Sequence, residues 1–186
     1  MTRPMTGGRR RVDLVLSADF LFGLSELSLA DLRERRREAE QEEADLSYLR
    51  RILHGRIDIV EAELSRRDPD SGAGAVVDDL GRVLGDEQRS VHGLGRHTTV
   101  EPSRVDEHRR EVEQVVADAI TSDVERRSED DLRLALIRLR QHEAEVSEVR
   151  RAVQAAMDTL SAELTSRYRT GTATIDHLLA PDLNRP

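Results

Sequence analysis

Apolar residues recur at intervals of three and four along two stretches of the chain. The first carries Leu46, Leu49, Leu53, Ile57, Val60 and Leu64; the second carries Val146, Val149, Val153, Met157, Leu160 and Leu164. That spacing lines one side of an α-helix and marks a seam along which two helices pack. The ends of both helices are signalled locally. Ser28 with Asp31 has the pattern of a capping box, and the helix it opens is predicted over 28–67, stopping ahead of Asp68-Pro69. Ser128 with Asp131 repeats the signal, and a second helix is predicted over 128–169, with Gly171 as its stop. At ~1.5 Å per residue the first helix would be roughly 60 Å long, and a helix of that length needs a partner throughout. The predicted fold is all-α, an antiparallel two-helix coiled coil. Pairing within the chain, as a helical hairpin, is favoured over pairing between chains because closing a long loop costs little extra entropy.

The two stretches are copies of one another, 100 residues apart. Leu32-Arg33 matches Leu132-Arg133, Gln41 matches Gln141, Arg50-Arg51 matches Arg150-Arg151, and Ala62-Glu63-Leu64 matches Ala162-Glu163-Leu164. A polar stripe repeats with them. Glu43, Ser47, Arg50, His54 and Asp58 in the first copy answer to Glu143, Ser147, Arg150, Gln154 and Asp158 in the second. Spacings of four, three, four and four put the members of each stripe within roughly 80° on the helix, about 100° from the apolar seam. The stripe therefore flanks the packing interface. Surface positions without a shared task diverge freely between the copies, as at Glu34 against Leu134 and Arg36 against Leu136.

The rest of the chain is less regular. Residues 1–27 form an N-terminal arm and apolar segment: Met1 to Arg11 are expected to be disordered, and Val12 to Leu27 to form either a short strand or turn tucked onto the long helices or a docking segment for a partner. Acids at Asp13, Asp19 and Glu26 interrupt that segment and argue against a signal peptide. Residues 68–102, rich in Gly, Asp, Ser and His, are expected to be a flexible linker with at most a short helical turn over 76–84. An accessory helical segment is predicted over 103–127, with Val105, Val112, Val115, Val116 and Ala119 on one face, and 170–186 form a C-terminal tail.

Composition narrows the chemistry. Charged residues make up 35% of the chain and aromatics 2%, which suits long, thinly packed helices and not a wide core. The net charge of -8 argues against direct binding to DNA, whose affinity rests on basic surfaces. Cysteine is absent, which excludes disulfides, thiolate metal sites and cysteine nucleophiles. His92 and His97 lack the companions of a metal site, and no acid–base or nucleophilic constellation stands out. The expectation is a non-enzymatic, metal-free, cytoplasmic protein that does not engage a membrane.

The stripe suits a guanine nucleotide. Arg presents two parallel donors to guanine O6 and N7, stacks on purines and neutralises phosphate. A carboxylate accepts from the N1 and N2 hydrogens of guanine, and Ser and Gln add neutral hydrogen bonds. No glycine-rich phosphate loop is present. Glu-x3-Ser-x2-Arg-x3-Gln-x3-Asp on two helices resembles the signature of the RsiG family of anti-sigma factors. The second copy matches it at every position, and the first departs only at His54.

The resemblance implies an anti-sigma factor of Streptomyces-type bacteria that binds the second messenger cyclic di-GMP. The ligand would be two molecules on one hairpin, held by Glu43, Ser47, Arg50, His54, Asp58, Glu143, Ser147, Arg150, Gln154 and Asp158. The liganded protein would sequester a sporulation sigma factor like WhiG. At His54 an imidazole replaces the amide, so ligand affinity is expected to vary with pH if that residue touches the ligand. The competing reading is a structural coiled-coil adaptor without a small ligand, its stripe a solvated face.

Overall fold

The computed structural model describes Pro4, Gly8 and residues 10–68, 112–113 and 123–171. The expected linker over 68–102 lies outside the described residues apart from Asp68. So do the accessory segment over 103–127, apart from 112–113 and 123–127, the tail beyond Gly171, and most of the N-terminal arm. The described chain is helical, without a strand: α1 (Arg11–Val15), α2 (Leu29–Arg67) and α3 (Glu129–Arg169), with single 3-10 turns at Ala18–Phe20, Leu24–Glu26 and Val124–Arg126.

Both long helices begin where their caps predict. The Ser28 hydroxyl accepts from the Asp31 backbone N–H at 3.1 Å and donates to the Asp31 carboxylate at 2.6 Å. Ser128 and Asp131 reproduce this at 3.1 and 2.7 Å. At the far end of α3, Gly171 takes φ +73°, the left-handed conformation that closes a helix and that side chains with a Cβ disfavour.

The chain divides into two units, one of residues 1–46 with 147–186 and the other of residues 47–146. Each unit contains half of α2 and half of α3, and in each the halves run antiparallel. In the first, Arg36 Nε donates to Ser161 Oγ at 3.1 Å and Arg150 Nη1 to Glu43 at 3.0 Å. In the second, Arg50 Nε donates to Glu143 at 2.9 Å and Arg140 Nη2 to Glu61 at 2.7 Å. As the number on α2 rises, its partner's number on α3 falls. The fold is an all-α helical hairpin.

Burial follows a strict interval of seven. Leu32, Ala39, Leu46, Leu53 and Val60 are buried on α2, and Leu132, Leu139, Val146, Val153 and Leu160 on α3. Leu49, Ala135, Val149 and Ala156 fill the layers between them. This corrects part of the expected seam. Ile57 and Met157 are only half-buried, and so is Leu64. The heptad register carries residue 156, not 157, to the interface, and on α2 it carries Glu63 inward instead of Leu64.

Glu63 is 6% exposed yet charged. Arg66 donates to both its oxygens, each at 2.8 Å, and Arg67 Nε donates at 2.6 Å. The hydrogen bonds from Arg66 above all, against the opposing effect of burial and reinforced by Arg67, lower its pKa from the usual 4.5 to about 2. A carboxylate held below its unfolded value stabilises the fold above that value and loses its contribution as pH falls toward the folded one. Glu63→Gln is therefore expected to destabilise the protein at neutral pH, with the gap to wild type closing between about pH 5 and about pH 2. Denaturant melts across that range measure it, and a gap independent of pH would contradict the assignment.

Residues 10–27 form a short helix and two 3-10 turns, not a strand. α1 opens with Arg10 and Asp13, whose carboxylate accepts from the Arg10 backbone at 3.2 Å and from its guanidinium at 2.7 and 2.9 Å. Val12, Val15 and Phe20 are buried, while Leu14 and Phe22 are exposed. Arg35 fixes the first 3-10 turn by donating to the Phe20 carbonyl at 2.5 Å, with its guanidinium 5.7 Å from the centre of the Phe20 ring. Arg11 approaches the buried Asp45 at 3.8 Å. One face of the segment is therefore covered, and the other, with Leu14 and Phe22, is open. Val112 and Glu113, 100 positions after Val12 and Asp13, are helical as well.

Candidate functional site

The motif residues assemble as two half-sites, one in each unit. In the first unit, Glu43 of α2 meets Arg150 and Gln154 of α3. Its Oε1 accepts from Arg150 Nη1 and from Gln154 Nε2, each at 3.0 Å. In the second unit, Glu143 of α3 meets Arg50 and His54 of α2. Its Oε1 accepts from Arg50 Nε at 2.9 Å, and His54 Nε2 lies 3.0 Å from the same oxygen, as donor or acceptor according to tautomer. Glu143 is thus the counterpart of Glu43, and His54 that of Gln154.

The origin of this arrangement is helical geometry. Steps of four and three keep a stripe on one side of its helix. The antiparallel stagger then sets the first member of each stripe against the third and fourth members of the other. Sequence reasoning places one stripe on each helix without pairing their members; the structure shows that each glutamate engages the arginine of the opposite copy. Spacing along one helix carries no information about stagger between two.

The two arginines are held but not saturated. A guanidinium has five N–H donors. Arg50 engages Glu143 through Nε and Arg150 engages Glu43 through Nη1. Arg150 Nε is buried without a hydrogen-bond partner among the described residues. Both ion pairs are partly open to solvent, with side-chain exposures of 33% and 21% for Arg50 and Glu143 and 22% for each of Arg150 and Glu43. Such pairs add little to stability, so they serve better to orient a cation than to hold the helices together.

Asp58 and Asp158 stand apart. Both are exposed, and neither forms a hydrogen bond or ion pair among the described residues. Ser47 and Ser147 sit half-buried between the other members of their stripes. All ten predicted residues are thus on the flanks of the helix pair, eight of them half-buried and the two aspartates exposed.

A second repeated device was missed at the level of sequence. Arg67 reaches from the end of α2 to the turn before α3, donating to the carbonyls of Arg127, Val124 and Glu125 at 2.6, 2.8 and 3.1 Å. Arg167 reaches from the end of α3 to the turn before α2, donating to the carbonyls of Leu24 and Leu27 at 2.6 and 2.7 Å. Glu63 and Glu163 hold these arginines at 2.6 and 2.8 Å. The matching Ala-Glu-Leu triplets were the available signal. The arginine four residues beyond each glutamate completes it. By tying each helix end to the start of its neighbour, the clasps fix the stagger that pairs the half-site residues.

Among the described residues, no cluster of His, Cys, Asp and Glu is arranged to hold a metal ion, and no helix is long and apolar enough to cross a membrane.

The sequence matches the model of the RsiG-like family over residues 19–84 and 118–182. The chain belongs to the RsiG-like family. The two matched stretches are the two copies of the repeat, and together they take up most of the chain. Membership carries the role of an anti-sigma factor, a non-enzymatic regulator whose partner is a sigma factor. No curated protein matches this RsiG-like chain.

Proposed function

We propose that this RsiG-like protein is a cytoplasmic anti-sigma factor that binds cyclic di-GMP at each of its two half-sites and, when liganded, sequesters a sporulation sigma factor of the WhiG type. The observation that carries the reading is the pairing of Glu43 with Arg150 and Gln154, and of Glu143 with Arg50 and His54. Each half-site offers an oriented guanidinium with donors to spare, and an exposed aspartate follows about two turns further along the same helix. That combination can address a guanine and a phosphate together. Two half-sites of matching geometry suit two ligand molecules per hairpin. Because a ligand shifts an equilibrium only by its differential affinity, sequestration would follow from cyclic di-GMP favouring the sigma-binding state.

Calorimetric titration of cyclic di-GMP tests the reading, with an expected stoichiometry of two per chain. The thermal midpoint should rise with it, since ligand at about 100 times its Kd stabilises by about 2.7 kcal/mol. Asp158→Ala should weaken the titration without altering helicity. A titration without heat, together with an unmoved midpoint, would return the chain to a coiled-coil adaptor whose stripe is surface.

A further inference from the structure

We propose that His54 makes the two half-sites unequal: the Glu143–Arg50–His54 half takes up cyclic di-GMP together with a proton, and the Glu43–Arg150–Gln154 half takes it up without one. The proposal rests on the reading of these residues as a cyclic di-GMP site.

The contrast starts from matched geometry. In each half-site two side chains share one glutamate oxygen at 2.9–3.0 Å. In one half the second of them is an amide, which keeps the same donors and acceptor at any physiological pH. In the other it is an imidazole, the side chain that ordinarily changes charge between mildly acidic and neutral pH. The His54 side chain is 43% exposed, so a proton reaches it from solvent without opening the hairpin.

Protonation acts on the half-site in two ways. Imidazolium donates from both nitrogens, and its bond to Glu143 Oε1 becomes charge-assisted. Glu143 is then balanced by His54, and the Arg50 guanidinium that shares the oxygen is released toward the ligand. The added positive charge also attracts cyclic di-GMP, whose two phosphodiesters are anionic throughout this pH range. Both effects tighten binding as pH falls.

The surroundings do not cancel them. Glu143 faces the imidazole from α3, and on α2 Arg50 and Asp58 lie one turn away on either side. Arg140, nearly a turn from Glu143, is engaged by Glu61 at 2.7 Å. His142, the neighbour of Glu143, lies about 100° round the helix and is a second imidazole near this half-site, so it needs its own control. Among the described residues the imidazole has no other hydrogen bond, ion pair or ring contact.

Calorimetry with cyclic di-GMP and the full chain, between about pH 5.5 and about pH 7.5 and in buffers of differing ionisation enthalpy, decides the matter. Wild type is expected to bind about three- to fivefold tighter at the acidic end, with net proton uptake. His54→Gln should bind with an affinity independent of pH. Gln154→His should steepen the dependence, and His142→Asn should leave it as in wild type. Binding that is equally tight across the range in wild type, or a dependence that survives His54→Gln, overturns the proposal while leaving the functional reading intact. Absence of binding at every pH overturns both.

Discussion

Replacing Arg50 and Arg150 together by alanine is expected to abolish cyclic di-GMP binding while leaving the hairpin folded. Each arginine is the cation in hydrogen-bond contact with the glutamate of its half-site. Hydrogen bonds involving a charged group are worth about 1.5–3 kcal/mol each, so two lost guanidiniums weaken binding by on the order of 100- to 10,000-fold. The cost to the fold should be small. Both ion pairs are partly exposed, and pairs of that kind contribute about 1 kcal/mol or less. Gln154 and His54 remain against the glutamates that lose their arginines. Arg51→Ala, at the exposed neighbour of Arg50, is the matched control and should bind as wild type. Calorimetry and far-ultraviolet circular dichroism give the two readouts. Retention of binding within about threefold in the double variant would remove the arginines from the site.

Leu53→Ala should destabilise the protein by about 2–5 kcal/mol, and Ile57→Ala by about 1 kcal/mol or less. The two residues lie one turn apart on α2, and a spacing of threes and fours accepts either as a seam position. Leu53 is fully buried on the sevenfold register, whereas Ile57 is half-buried beside it. Truncating Leu53 leaves a cavity between two helices that cannot collapse without losing their neighbouring layers. Truncating Ile57 removes contacts at a margin that water already reaches. Denaturant melts of the two variants measure the difference. Equal losses would mean that the seam passes through Ile57 after all.

What could be read in advance divides along physical lines. The caps at Ser28 and Ser128 and the stop at Gly171 were legible because they depend on neighbours within a few residues. The antiparallel helical hairpin was legible because its apolar periodicity extends over many turns. The burial of Glu63 was not, since an acid on the packing side reads as a break in the seam until Arg66 and Arg67 are seen to neutralise it. The fold of residues 10–27 was not legible either, because a five-residue helix is too short to show a period. The ten candidate residues were picked out by repetition, but their partnership was not. Glu43 and Arg150 stand 107 positions apart, and only the stagger of the helices makes them neighbours.

The clasps of Arg67 and Arg167 hold carbonyl oxygens, not side chains. Every residue type carries that oxygen, so the grip makes no demand on what is gripped. Leu24, Ser25 and Glu26 stand where the other copy has Val124, Glu125 and Arg126, yet both triplets form a 3-10 turn held by an equivalent arginine, Arg167 for the first and Arg67 for the second. The joints that set the register of the hairpin are therefore places where its sequence is free to change. A regulator built this way can alter the surface at the roots of its helices, and with it what that surface meets, without disturbing the alignment on which its central residues depend.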